Sequence, residues 1–278
     1  MPKPINYGFN PDKVVIKPED WKFGSNLPLS VLNEDGQWDK WLAFYEPQAE
    51  KYETWGCVCW GTLNQLEILM KFLFSFEPNF SERYNYNLIG IEEGGTNPND
   101  GCQSVKNDGA IDQHFLPVPD TFKEFRTPRP MTLKYTKEGV KFKEQYEYWH
   151  EWVIPSNPLK MKELIRDTLR YSPVALSVTA WNEQNGLYVS NGQNNHWCVC
   201  FGYRETEQGL VLRIFDSYDH SIKELHPDHF VAFAKRIYIT KLTENVLHEA
   251  HKPKQRWWFV ESFLQMWYFI KDIFSLKL

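Results

Sequence analysis

The 278-residue sequence lacks several features that define common protein classes. It has no run of about 18 uncharged apolar residues, which argues against a membrane-spanning helix. Its amino end shows no apolar segment of a secretory signal peptide. Lys and Arg total 31 against 36 Asp and Glu, so the basic excess typical of nucleic-acid binding is missing. We therefore expect a globular protein made in a cytoplasm-like compartment, without nucleic acid as a partner.

Cysteine is also scarce. The five residues are an odd number and too few for a disulfide-based scaffold, and without a signal peptide we expect reduced thiols. Cys198 and Cys200 alternate on one predicted strand and therefore share a face. A metal pair at that place lacks a His/Cys couple with ligand spacing, so core positions are the favoured interpretation. The sequence predicts neither a bound metal nor a cofactor.

Aromatic side chains, by contrast, are abundant. They make up 16% of the chain and include 12 Trp. With 42% hydrophobic and 24% charged residues, the chain is long enough for one large domain or two small ones with a substantial core. The aromatic density favours thick packing and aromatic-lined grooves, and is also typical of partner surfaces.

The distribution of residue types predicts helices in the first half and strands in the second. Residues 1–45, rich in Pro, Gly, Asn and Asp, indicate an extended arm. Apolar side chains at three- and four-residue spacing predict a helix after Gly56 and another over 159–171, and the glycines of 94–101 predict a loop. Short apolar or alternating runs predict strands at 174–178, 196–203, 210–215 and 236–240. This order favours an α+β fold with two segregated subdomains.

Three residue types in this framework suggest nucleophilic catalysis. Cys57 and Cys59 both sit at the start of the first predicted helix, where the backbone dipole and free N–H groups favour a thiolate. His196 opens a strand and is suited to take the thiol proton and pass it to a leaving amine. Asp216 follows another apolar run and is suited to hold the imidazole tautomer. Each residue alone is better explained by packing or a turn, and their order in the chain carries the hypothesis.

With these residues the sequence resembles the papain-like cysteine peptidases. Glu67 lies ten residues after Cys57, as in that family, and Cys59-Trp60 copies its Cys-Trp dipeptide. The segment 195–203, Asn-His-Trp-Cys-Val-Cys-Phe-Gly-Tyr, matches the family's N-H-A-V-x-x-V-G-Y, and 214–218 stands where I-K-N-S-W is expected. Further matches are 80–84 to L-S-E-Q and 172–178 to G-P-V-x-V. The resemblance runs from about residue 27 to 240 and is strongest to divergent bacterial or viral members.

The resemblance implies a two-subdomain papain-like fold, with a helical half and an antiparallel β-barrel-like half, an extended N-terminal arm and a C-terminal amphipathic helix. We expect an arm over 1–26, the peptidase domain over 27–243, and a linker with the helix over 244–278. It also implies hydrolysis of peptide bonds in a polypeptide substrate through a Cys-His-Asp triad and a thioester intermediate.

Departures from the family leave two alternatives open. Cys57 preserves the distance to Glu67 and Cys59 preserves the Cys-Trp pair, so either is a candidate nucleophile, with helix register favouring Cys57. The family's oxyanion Gln, six residues before the Cys, is replaced by Lys51 or Glu53, and Gln48 is the nearest amide. The misplaced Gln, the absence of a folded propeptide and an apolar tail keep a second hypothesis open, a catalytically inactive papain-like module in an assembly such as a phage particle.

The apolar tail is the last feature. From Trp257 the sequence is apolar over most of a helix, interrupted by a narrow polar stripe. Such a helix at 255–278 is suited to dock on its own domain, in a groove of a partner protein or at a membrane interface. A polar face this poor in Lys and Arg favours the protein surfaces over lipid. The viral resemblance adds incorporation in a virion as a further expectation.

Overall fold

The apolar spacing after Gly56 produces the helix on which the fold is built. In the computed structural model, which describes residues 7–242, this helix (α1) spans Cys57–Phe74, and its residues 57–70 are all buried. Fourteen consecutive buried positions place this helix inside the core rather than on the surface, with polar side chains such as Gln65 and Glu67 enclosed among apolar ones. Its main partner is the strand His196–Thr206, and Gly61 allows close contact, because a Cβ there would lie 2.7 Å from the Trp197 ring.

Residues 7–242 contain six α-helices and eight strands. After α1 the helices are α2 (Glu82–Ile89), α3 (Pro98–Asp108), α4 (Phe122–Phe125), α5 (Leu133–Gln145) and α6 (Met161–Thr168). The strands are β1 (Tyr146–Trp152), β2 (Val174–Val178), β3 (Glu183–Gln184), β4 (Leu187–Tyr188), β5 (His196–Thr206), β6 (Gly209–Phe215), β7 (Lys223–Leu225) and β8 (Ala234–Lys241). Short 3-10 turns lie at Pro11–Lys13, Asp39–Trp41, Gln113–Phe115 and Pro158–Lys160.

The strands form one sheet in the order β1-β8-β2-β5-β6-β7-β4-β3. The pairs β2–β5, β2–β8, β5–β6, β6–β7 and β3–β4 are antiparallel, and β4–β7 is parallel. In the β5–β6 pair Val199 lies opposite Phe215. The first residue of β5, His196, and the residue after β6, Asp216, therefore emerge at the same end of neighbouring strands.

The α+β class predicted from the sequence is confirmed, with one local error. The helix after Gly56 and the four strands form near their predicted positions, but α3 begins at Pro98, inside the segment 94–101 that we expected to be a loop. The Asn97 side chain accepts hydrogen bonds from the amides of Asn99 and Asp100, and Pro98 occupies the first helical position. This N-cap and proline combination starts helices and outweighs the glycines around it.

The described residues up to Thr240 belong to one compact unit. The predicted linker and apolar helix of 244–278 lie outside the described residues. The predicted division into arm, domain and tail stays a prediction. All five cysteines are free and buried. Within 7–242 no helix is long and apolar enough to cross a membrane.

Candidate active site

A buried histidine–aspartate pair lies where β5 begins and β6 ends. The His196 Nε2 atom is 2.6 Å from Asp216 Oδ1, and both side chains are fully buried. The other ring nitrogen, Nδ1, has no hydrogen-bond partner although it is buried. A ring fixed through one nitrogen leaves the second free to exchange a proton with a neighbouring group.

Asp216 also pairs with a lysine that the sequence analysis did not single out. Lys223 Nζ, at the start of β7, is 3.0 Å from Asp216 Oδ2, and its side chain is 1% exposed. Burial alone would raise the pKa of Asp216, but His196 and Lys223 outweigh it and bring the pKa down to about 2. Burial would likewise lower the pKa of Lys223, and Asp216 and Asp219 raise it instead. Asp216 is therefore a carboxylate at neutral pH, facing a cation on each side when His196 is protonated.

Cys57 is the first residue of α1 and lies beside this pair. It shares a buried cluster with Trp197, the residue after His196, whose backbone hydrogen-bonds the sulfur. Burial raises the pKa of the Cys57 thiol well above its ordinary value, the Trp197 bond lowers it, and Glu53 and Asp216 raise it further. The thiol is therefore protonated in this covered arrangement, although the start of a helix favours a thiolate.

Gln48 is brought to the same place by the loop before α1. Its backbone N–H donates to the Ser217 carbonyl at 2.9 Å, and its Oε1 accepts from the Ser217 hydroxyl at 2.8 Å. These two bonds aim the Nε2 group toward Tyr7 and Tyr218, where it donates to the Tyr7 carbonyl at 3.1 Å and to the Tyr218 hydroxyl at 3.2 Å. The Gln48 amide thus donates to two tyrosines whose rings both contact the His196 ring.

Cys59 lies away from the His196–Asp216 pair. It lies in a separate cluster with Trp60, Tyr86 and Phe125. The charged groups that act on it are Glu82, Arg129 and Asp100, none of which belongs to the pair at the end of β5. Residues two positions apart in a helix point to different faces, so the side chains of Cys57 and Cys59 point in different directions. The structure thus places Cys57, His196, Asp216 and Gln48 in one region and Cys59 in another.

The N-terminal arm covers this region. The Tyr7 ring meets the His196 ring edge-on at 5.5 Å between centroids, and Phe9, fully buried, stacks on Trp197 at 5.8 Å. The arm runs parallel to the loop before α3, because Thr96 donates to the Gly8 carbonyl and its own carbonyl accepts from Asn10. As a result Cys57 and His196 are both 0% exposed.

A cavity of about 640 Å³ opens beside the covered pair. Its walls include Tyr7, Phe9 and Trp181, and the loop 191–195 that precedes β5. The Trp181 ring lies 5.7 Å from His196, and its indole N–H is buried without a partner.

Sequence reasoning missed the covering residues and the buried lysine. Tyr7 and Phe9 belong to the predicted arm, and nothing local shows that they contact the rings of His196 and Trp197, almost 190 positions away. Lys223 stands in a short alternating run, where a lysine is ordinarily exposed. Within 7–242 no group of three or more His, Cys, Asp or Glu side chains is arranged to hold a metal ion.

Comparison with known proteins identifies the architecture. No family model and no curated protein matches the sequence. Among solved structures, a digestive procathepsin L2 from Tenebrio molitor matches with a TM-score of 0.57 at 12% identity, over 84% of this chain and 79% of that chain. The cysteine protease Cwp84 of a clostridium matches with a TM-score of 0.57 at 10% identity, over 73% and 57%. The ragweed pollen protease Amb a 11, in its proform, matches with a TM-score of 0.50 at 15% identity.

This chain has the papain-like fold. The match to Amb a 11 covers 71% of this chain but only 63% of the ragweed protein, less than two thirds of its length. At these identities the likeness concerns architecture alone. The predicted kinship to viral members and the predicted virion location have no support in these comparisons and stay predictions.

Proposed function

We propose that this papain-like protein is a cysteine peptidase, or an amidohydrolase of the same mechanism, with Cys57 as its nucleophile. The observation that carries the proposal is the buried His196–Asp216 pair with one free ring nitrogen beside a cysteine at a helix start. The fold, shared with cysteine proteases, supports it.

In this mechanism His196 removes the Cys57 proton, and the thiolate attacks the carbonyl carbon of the scissile amide. The Gln48 amide donates to the oxygen, which becomes an oxyanion in the tetrahedral intermediate. Collapse of the intermediate expels the amine, which takes the proton from His196, and leaves a thioester on Cys57. Water, deprotonated by His196, then hydrolyses the thioester, releases the acid and restores the thiol. Asp216 holds the ring through Nε2 throughout.

The cover over the site has to move before this chemistry starts. Tyr7 occupies the Gln48 amide with its own carbonyl, and Phe9 buries the thiol. We propose that the described arrangement is a closed form, in which residues 7–10 fill the place of a substrate, and that substrate entry requires their displacement.

The test is the rate at which iodoacetamide alkylates each cysteine at pH 6, followed by mass spectrometry in the full chain. Free thiols are largely protonated at this pH, so rapid alkylation requires an activated thiolate. Once the cover opens, we expect Cys57 to react faster than free cysteine and at least about tenfold faster than in His196→Ala, since an acting base contributes on the order of 10²–10⁴. Cys59→Ala serves as the matched control and keeps the fast reaction.

The same rates are measured with the cover loosened by Gly8→Ala, because a Cβ at Gly8 would lie 2.1 Å from the Trp55 carbonyl oxygen. If Cys57 reacts no faster than free cysteine with and without the loosened cover, the chain is the inactive module. If Cys59→Ala alone abolishes a fast reaction, the nucleophile is Cys59. The assembly role predicted from the tail concerns 255–278, outside the described residues, and stays a prediction.

A further inference from the structure

The second carboxylate oxygen of Asp216, Oδ2, forms an ion pair with the buried ammonium group of Lys223. Asp216 lies between His196 Nε2, 2.6 Å from Oδ1, and Lys223 Nζ, 3.0 Å from Oδ2. All three side chains are at most 1% exposed. Because β6 and β7 pair with Ile214 opposite Lys223, the sheet itself holds the lysine beside the residue that follows β6.

The ammonium group is held on its other sides as well. It lies 5.1 Å from the centre of the Trp181 ring and 5.9 Å from that of Tyr188, at distances where aromatic faces attract cations. It also pairs with Asp219 at 2.7 Å and with the Ser221 hydroxyl at 3.2 Å. The Asp219 side chain is 53% exposed, so solvent screens its charge, whereas Asp216 and Lys223 are both buried and are screened much less.

The charge on this pair matters because a lone buried carboxylate stabilises a protonated imidazole. With Lys223 in place, its positive charge cancels the negative charge of Asp216. The His196 ring then contacts an ion pair whose net charge is zero, as that of an asparagine side chain would be. The other titratable groups around the His196 ring are Tyr7 on the arm, Cys57 on α1 and Tyr218 after β6. Glu53, in the loop before α1, accepts a hydrogen bond from the Tyr218 hydroxyl, and none of the variants below changes it. Cys57 and the two tyrosines are neutral at pH 7 in this arrangement, because burial raises the pKa of each.

We propose that Lys223 is a positioning residue of this site, which clamps Asp216 and cancels its charge so that His196 is oriented by a carboxylate without being trapped as an imidazolium. The inference rests on the proposed function for its purpose, but the charge balance itself is a property of the folded chain. It predicts opposite effects when the two partners are removed one at a time.

The experiment follows the titration of the His196 ring by NMR in the full chain, with its signal assigned by its absence in His196→Gln. Lys223→Met removes the cation and should move the titration midpoint of the ring to higher pH by about one unit or more, since the ammonium group no longer opposes a second positive charge on the other side of Asp216. Asp216→Asn leaves the cation alone and should move the midpoint to lower pH. The double variant Asp216→Asn/Lys223→Met, which buries neither charge, should return close to the wild-type midpoint.

Lys223→Arg keeps the charge and is the matched control, with a midpoint near that of the wild type. If Lys223→Met fails to fold, the titration midpoints of Asp216→Asn and of the double variant still test the inference. Only Asp216→Asn retains the Lys223 charge without the carboxylate that compensates it. Equal midpoints in these two folded variants would overturn the inference.

The alkylation rate of Cys57 against pH, measured on the same variants, separates this inference from the proposed function. A shifted ring titration with an unreactive thiol supports the charge balance and contradicts the peptidase. A reactive thiol whose ring titration does not respond to these substitutions supports the peptidase and contradicts the role of Lys223.

Discussion

The side-chain amide of Gln48 is held in one orientation by its hydrogen bonds. Its Oε1 accepts from the Ser217 hydroxyl, so the amide cannot flip without losing that bond, and its Nε2 is left to donate toward the site. Ser217 directly follows Asp216, and the same loop therefore fixes both the group that orients His196 and the group that faces a carbonyl. A single displacement of this loop would disturb both functions.

We expect Gln48→Ala to lower peptide hydrolysis by on the order of 10²–10³ in kcat, the usual loss for one oxyanion donor. Alkylation by iodoacetamide forms no oxyanion, because the thiolate displaces iodide at a saturated carbon, and its rate should change little. The two rates are measured on the same preparation, with a fluorogenic peptide library as substrate. A parallel loss of both would mean that Gln48 supports the fold and not the oxyanion.

At the scale of elements, glycines allow the backbone of the arm to contact the backbone of the loop before α3. Gly8 has a φ of +104° and lies against the Trp55 carbonyl, while Gly95 has a φ of +74° and would place a Cβ 1.8 Å from the Gly8 oxygen. Only residues without a Cβ allow the two backbones to approach this closely. The covered form of the site therefore depends on glycine at both positions.

Gly8→Ala should expose Cys57. The substitution combines an unfavourable positive φ with a contact that the backbone of Trp55 cannot relieve, and each 1.4 kcal/mol taken from the covered form increases the open population about tenfold. We expect at least about tenfold faster alkylation of Cys57. Gly90→Ala is the matched control, since Gly90 has a φ of +73° at the end of α2 with no atom within 4 Å of an added Cβ. Equal rates in both variants would show that residues 7–10 do not limit access.

The same scale shows what the sequence could and could not predict. Helix α1 was predictable because its apolar spacing is local. His196 and Asp216 could be singled out because each stands beside a recognisable apolar run, and their catalytic role stays a prediction. The start of α3 runs against the local composition, because the glycines of 94–101 favour a loop and the N-cap at Asn97 outweighs them. The position of Phe9 was beyond reach, since its environment is made by Trp197, which only the folded chain brings near.

At the scale of the whole molecule, buried carboxyl groups act on stability in opposite directions. The pKa of Asp216, lowered to about 2 by His196 and Lys223 against its burial, means that this group stabilises the fold above its unfolded pKa of about 4. That contribution is lost as the pH falls from about 4 to 2. Glu46, Glu67 and Glu82 behave in the other way, because burial raises the pKa of each.

For these three groups the folded state binds protons more tightly than the unfolded state. Their contribution is therefore fully present below the unfolded pKa of about 4.3 and is lost as the pH rises through the folded value. Glu82 is the clearest case. It is 1% exposed, and its carboxyl group shares a hydrogen bond with that of Glu46. After burial, the carboxylates of Glu46 and Glu67 raise its pKa most. Its place at the start of α2 favours a negative charge, but this small dipole term is outweighed by loss of hydration.

Glu82→Gln should consequently stabilise the protein at pH 8 and not at pH 4. The amide keeps the shape of the side chain and removes the need to hold a proton or bury a charge. We expect a gain of about 1 kcal/mol at pH 8, or roughly 2–4 °C in Tm for a domain of this size, falling to near zero at pH 4, where the wild-type carboxyl is already protonated. Thermal unfolding at both pH values measures it, with Glu144→Gln on the exposed side of α5 as the control. A gain of the same size at pH 4 and pH 8 would mean that the effect comes from packing, and that the carboxyl group of Glu82 carries no proton-linked cost.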